Sequence, residues 1–273
     1  MPIDLSKIRH LALDLDGTIY SGSTLFDCTL PFLELLGRLG IGHTFITNNS
    51  SRGIEDYVDK LLRLGIHAGR EQIQTSTDAV IEYLGVHLPT VRRIWLLGTP
   101  SMARHLQSAG YLIDEEEPEA VVVGYDTGLT YDRLCRTAWW ISRGRPFIAS
   151  HPDGVCPTDQ PTVLVDCGAI SVCLTAATGV SPIVLGKPDP RMLDGVLRGH
   201  DLSPGELAVV GDRPYTDIVM AQRAGAVSVL VLTGEATAED AAALDPPPDL
   251  VVEDLSLLGE LFEETQCERT RPK

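Results

Sequence analysis

The sequence predicts an α/β protein: a doubly wound parallel sheet with a second, smaller α/β domain inserted into it. Apolar runs of strand length alternate with stretches of helical spacing from His10 to Gly65. A second alternating set fills the middle of the chain, and the first pattern resumes after Ile183-Val-Leu185. Acidic, hydroxyl and amide side chains stand just after several strand-like runs, where parallel α/β sheets bind their ligands.

In chain order, residues 9–15 read as a strand and 31–39 as a helix. Pro31 suits the first turn of that helix, Phe32, Leu35, Leu36 and Leu39 recur at helical spacing, and Gly40 stops it. A strand follows at 43–47, then a helix at 54–64 that buries Ile54, Val58, Leu61 and Leu62 and ends at Gly65. Residues 73–84 read as a helix whose polar start, Gln74 to Asp78, could serve as a hinge. The inserted set has strands near 94–97, 120–123 and 147–149 and helices near 101–109 and 131–143. After 183–185, strands at 207–210 and 228–232 flank a helix at 217–224. Pro246-Pro-Pro248 reads as a stiff loop beside a strand-like Leu250-Val-Val252, and the tail after Glu264 is expected to fray.

At 273 residues the chain is long enough for a core and a smaller domain. With 44% hydrophobic and 22% charged residues it has an ordinary globular composition, and no apolar run reaches membrane-spanning length. The first apolar run lacks the h-region and cleavage site of a signal peptide, so a cytoplasmic location is expected, with no membrane partner. Six scattered cysteines without a C-x-x-C pair indicate reduced thiols. A net charge of −16 argues against a nucleic-acid partner and suits a pocket for a divalent cation.

Four polar stretches carry the chemistry. Asp14-Leu-Asp-Gly-Thr18 ends the first strand in two carboxylates spaced to leave the same face, and Gly17 permits a sharp turn; Asp-Gly between apolar residues is also a hairpin signal. Thr47-Asn-Asn-Ser-Ser51 lies between a strand and a helix, where free N–H groups favour an anion, so Thr47 and Asn48 are anion-binding candidates; Ser50 or Ser51 could cap the helix without displacing Thr47. Lys187, one of four lysines, follows a strand within Gly186-Lys-Pro-Asp-Pro190. Asp212 and Asp217 lie in Gly211-Asp-Arg-Pro-Tyr-Thr-Asp217, where Thr216 or Asp217 could instead cap the next helix.

In order and spacing these four stretches resemble the motifs of the haloacid dehalogenase superfamily of phosphatases, and in layout the subgroup with a large α/β cap that includes nitrophenylphosphatase-like enzymes. The resemblance implies a Rossmann-like core of residues 1–79 plus 186–273 and an inserted cap of residues 80–185. It implies a Mg²⁺-dependent phosphatase acting on a small-molecule phosphate ester. Asp14 would be the nucleophile and Asp16 the acid and base. Thr47, Asn48 and Lys187 would bind phosphate. The metal would be held by Asp14, Asp16 through its backbone carbonyl, and Asp212, with Asp217 supporting that shell. In the cap, His151 and Asp153 could reach the leaving group, where some similar enzymes carry Asn in place of His151; a plain Pro-Asp-Gly turn is the competing reading. Cys167 reads as packing. A phosphotransferase or mutase, or a catalytically silent phosphate binder, are the alternative functions, and a homodimer through the cap is possible. A dinucleotide-binding protein is disfavoured because no Gly-x-Gly-x-x-Gly follows the first strand.

Overall fold

In the computed structural model, which describes residues 4–157 and 161–270, the chain forms two compact units. The first comprises Met1–Ile46, Lys60–Ile73 and Val196–Lys273, the second Thr47–Asp59 and Gln74–Gly195. All four boundaries between them fall inside the segments 1–79 and 186–273 that the sequence assigns to one domain. No helix among the described residues is long and apolar enough to cross a membrane.

The first unit is built on a parallel sheet whose strands run, in space, Leu250–Val252, Val227–Val231, Leu207–Gly211, His10–Asp14, Gly42–Thr47 and Ile73–Thr75. The chain leaves His10–Asp14 toward one edge and later returns to build the other. The strand ends beside this reversal are therefore the place where an α/β sheet offers a ligand site. All five residues of His10–Asp14 are buried, because parallel strands on either side and covering elements leave neither face in water. The alternation expected of a half-exposed strand does not hold here. The strand also stops at Asp14, and it pairs only in parallel, so Asp16-Gly17 is not its hairpin turn. A small antiparallel pair, Tyr20–Ser21 with Thr24–Leu25, follows instead.

Helix Thr29–Leu39 buries Phe32, Leu35 and Leu36 and ends at Gly40 in the left-handed region (φ 68°), as its sequence indicates. Against it lies helix Leu255–Thr270, where a Cβ on Gly259 would come within 3.0 Å of Leu35. This helix carries the chain past Glu264, where fraying was expected. The expected helix at 73–84 begins only at Ser76. Thr75 caps it, its Oγ1 accepting from the Asp78 N–H at 3.4 Å while the Asp78 carboxylate accepts from the Thr75 N–H at 2.7 Å. That reciprocal cap frees Ile73–Thr75 to act as a strand.

The second unit has a five-stranded parallel sheet in the order Ile183–Val184, Phe147–Ala149, Ala120–Val123, Arg93–Leu97 and Leu112–Ile113. Helices Tyr131–Ser142 and Cys167–Thr178 pack Trp140, Ile141, Ile170 and Leu174 against Trp95, Val121, Val123 and Phe147. Trp95 enters this core with its indole N–H satisfied by Thr137 Oγ1 at 2.7 Å. Helix Cys167–Thr178 was not expected, because the composition of Val165 to Gly168 reads as a loop. The helix starts inside that run, its N-cap being Asp166, whose carboxylate accepts from the Cys167 N–H at 2.6 Å.

One buried ionisable group in the first unit couples this fold to pH. His10 is 3% exposed, its Nε2 lies 2.9 Å from Thr44 Oγ1 and its ring centroid lies 4.1 Å from that of His200, the planes tilted by 31°. Its register partner is Gly42, where a Cβ would sit 2.4 Å from His10 Nδ1. Burial, with His200 and His43 beside it, lowers its pKa from 6.5 to about 4. The unfolded chain takes up this proton near 6.5 and the folded chain only near 4, so stability is full above 6.5 and falls as pH drops through that window. The loss attributable to His10 should approach about 3 kcal/mol. Urea denaturation from pH 7.5 to 4.5 should show this slope, and His10→Gln should flatten it; an equal slope in the variant would remove His10 as its source.

Candidate active site

In the first unit, two adjacent strand ends set the acidic centre. Asp14 closes its strand, and Asp212 is the first residue after Leu207–Gly211, which pairs with it in the register Leu13 to Val210. Asp217 joins them from a π-helical turn, Pro214–Ile218. Carboxylate oxygens of Asp14, Asp212 and Asp217 all lie within 4.8 Å of one another, with the residues 7%, 2% and 0% exposed. Asp217 does not cap helix Val219–Ala224, whose N-cap position is Ile218. Its Oδ2 accepts from the Arg213 N–H and from Thr216 Oγ1, both at 3.3 Å.

Glycine makes the room. A Cβ on Gly234 would lie 2.0 Å from Asp212 Oδ2, one on Gly17 2.3 Å from the same atom, and one on Gly211 2.3 Å from Asp217 Cγ. Gly17 also has φ +89°, which a side chain would oppose. Asp212 Oδ2 is fixed by the Glu235 N–H at 2.7 Å, and Thr233 Oγ1 ties the loop to the Gly17 carbonyl at 2.6 Å. A buried, oxygen-only set of carboxylates fits a hard divalent cation such as Mg²⁺.

Arg213 is the residue that the sequence reading overlooked. Burial opposes its charge, but Asp14 and Asp212, then Tyr215 and Glu235, outweigh it and hold the guanidinium above its ordinary pKa. Its Nε lies 3.0 Å from Glu235 Oε2, and Tyr215 Oη donates to Glu235 Oε1 at 2.5 Å. Arg213 could have been noticed as a cation between two acids of one motif; Glu235, more than twenty positions further on, carried no such signal. Asp16 takes a different place from Asp14. Its side chain is 55% exposed, 4.0 Å from Lys60 Nζ, and accepts from the Gly22 N–H at 3.3 Å. Lys60 is seated 3.6 Å over the Tyr20 ring.

The second unit holds Thr47, Asn48, Lys187, His151 and Asp153. Asn48 uses its amide to grip the backbone of Lys187: Oδ1 accepts from the Lys187 N–H at 2.7 Å and Nδ2 donates to the Lys187 carbonyl at 2.9 Å. The same Nδ2 donates to Asp153 Oδ2 at 3.1 Å. Thr47 Oγ1 accepts from the Asn49 N–H at 3.2 Å. Ser50 accepts from the Tyr125 N–H and from Ser150 Oγ, and the Gly53 N–H ahead of helix Ile54–Arg63 donates to Asp56, so Ser50 is not occupied in capping that helix.

His151 is fully buried, between Asp153 and Asp166, rather than displayed on a surface loop. Burial works to raise the pKa of Asp153, but His151, Asn48 and Lys187 outweigh it and hold the carboxyl below its usual range. Burial raises that of Asp166. The Cys167 thiol, also buried, is pushed up to about 11, which leaves it protonated and in keeping with a packing role.

The glycine cradle can be tested directly. Gly234→Ala should force the Asp212 carboxylate off the Glu235 N–H while leaving the sheet intact. Calorimetric Mg²⁺ affinity should fall at least about tenfold with only a small change in melting temperature. Unchanged affinity would mean that the three carboxylates do not bind the ion together.

Comparison with known proteins bears on the same residues. The family description "Haloacid dehalogenase-like hydrolase" matches residues 11–112, and "HAD-hydrolase-like" matches residues 184–258. An acid sugar phosphatase of Staphylococcus aureus is 34% identical over 253 residues, 92% of this chain and 97% of that protein. The crystal structure of a 4-nitrophenylphosphatase from Thermotoga maritima superposes with a TM-score of 0.89 at 38% identity, covering 94% of this chain and 98% of that one. A glycerol phosphate phosphatase from Mycobacterium tuberculosis, solved in complex with magnesium, gives 0.87 at 30% identity, covering 95% and 79%. With both ends of the chain matched and a relative aligned over nearly its whole length, this protein belongs to the haloacid dehalogenase-like hydrolases.

Proposed function

We propose that this hydrolase is a Mg²⁺-dependent phosphatase of small phosphomonoesters, working through an aspartyl-phosphate on Asp14. The observation that carries the reading is the buried group of Asp14, Asp212 and Asp217, which unites a nucleophile candidate with a cation site. The relatives named for sugar phosphate, 4-nitrophenyl phosphate and glycerol phosphate support small organic esters as the substrate class.

In this reading Asp14 and Asp212 hold the ion, with the Asp16 carbonyl, and Asp217 fixes the motif around them. Bound Mg²⁺ supplies positive charge against the phosphoryl oxygens. An Asp14 carboxylate oxygen attacks phosphorus as the ester P–O bond breaks, and Asp16 gives its proton to the departing alkoxide. Asp16, now a carboxylate, takes a proton from water, whose oxygen bonds to phosphorus and releases Asp14 and inorganic phosphate. Thr47, the Asn48 N–H and the Lys187 ammonium bind the phosphate, while the Asn48 side chain serves by holding Lys187 in place. We also assign residues 1–79 and 186–273 to the catalytic core and 80–185 to its cap. Asp153, still 17% exposed at its side chain, is a better candidate than buried His151 for touching the leaving group.

Phosphate release from 4-nitrophenyl phosphate and from a panel of sugar phosphates and polyol phosphates tests the reading. Asp14→Asn should lower kcat by at least about a thousandfold while the protein stays folded. Chelation should stop turnover and Mg²⁺ restore it. Near-normal activity of the variant, or of chelated enzyme, would overturn the mechanism.

A further inference from the structure

The second unit buries an acid–imidazole–acid arrangement that the proposed phosphate contacts do not use. His151 is 0% exposed, with Nδ1 3.4 Å from Asp153 Oδ2, a charge contact rather than a hydrogen bond, and Nε2 3.4 Å from both Asp166 Oδ1 and Ser50 Oγ. Asp153 Oδ2 accepts from Asn48 Nδ2 at 3.1 Å, and Asn48 grips both backbone groups of Lys187. The sequence of contacts therefore runs from Asp166 through His151, Asp153 and Asn48 to the backbone of Lys187.

Two features argue that this is more than packing. Burying a second carboxylate is costly, and capping does not require it: Asp166 accepts from the Cys167 N–H through one oxygen, which an asparagine could also offer. The loops are also locked backbone to backbone. A Cβ on Gly168 would lie 1.9 Å from the Pro152 carbonyl oxygen, and one on Gly186 2.6 Å from that of Ser150, so a change at one end has little slack in which to dissipate.

We propose that Asp166 and His151 are positioning residues that hold Asp153 and, through Asp153 and Asn48, fix where Lys187 presents its ammonium to a phosphate group. The inference rests on the reading of Lys187 as a phosphate contact.

The test is calorimetric binding of inorganic phosphate to the full-length, Mg²⁺-loaded enzyme, with kcat and KM for 4-nitrophenyl phosphate and a melting temperature. The variants are Asp166→Asn, which keeps the cap acceptor, His151→Asn, Lys187→Met, and the double variant Asp166→Asn with Lys187→Met. Asp166→Asn and His151→Asn should each weaken phosphate binding and raise KM by about tenfold, with kcat within about threefold of wild type. The double variant should bind no more weakly than Lys187→Met alone, because both changes act through one group. The inference is overturned if Lys187→Met weakens binding but folded Asp166→Asn and His151→Asn do not, or if the double variant's losses add; the reading of Lys187 then stands. If Lys187→Met binds phosphate as wild type does, that reading falls and the positioning role falls with it.

Discussion

Three carboxylates at the switch point of a sheet repel one another, and much of the first unit is arranged around that repulsion. Two full charges 4.8 Å apart cost roughly 3 kcal/mol even at an effective dielectric of about 20. Adjacent parallel strands impose the closeness, since Asp14 and Asp212 sit where neighbouring strands end side by side. The compensations come partly from the same motif, as the Arg213 N–H on Asp217 and the Arg213 guanidinium, and partly from further along the chain, as the Glu235 N–H on Asp212. A divalent ion would complete what these groups begin.

The parts legible in the sequence are those whose physics is local. Alternating apolar runs gave away the strands at 10–14, 42–47, 120–123 and 207–211, because a strand buried on both faces is apolar nearly throughout. Asp14, Asp212 and Lys187 stood out as candidates because each lies at or just past a strand-like run. What stayed hidden depends on distant partners. Glu235 matters through its backbone N–H on Asp212 and a carboxylate that meets Arg213 and Tyr215, partners some twenty positions away that no local pattern advertises. Helix Cys167–Thr178 opens on Asp-Cys-Gly, residues that read as a loop until the core that receives Ile170 and Leu174 is known.

His151 shows the same limit from the other side. A polar loop of His, Pro, Asp and Gly suggests exposure, yet the imidazole is wholly enclosed because carboxylates arrive on both sides of it from separate loops. Of its two ring nitrogens, Nε2 meets Ser50 Oγ at 3.4 Å, while Nδ1 has only the nearby Asp153 charge beside it. Residue type could propose a role for His151, but only the packing could tell a group facing outward from one enclosed.

The grip of Asn48 on residue 187 separates position from chemistry. Its amide engages the N–H and C=O of that residue, groups that every amino acid except proline supplies, so the loop is specified without reference to the lysine side chain. The buried ammonium, by contrast, sets its charge beside Asp153. Placement of the loop and placement of the charge therefore rest on separate contacts, and a change to the lysine alters the second while leaving the first in Asn48's hands.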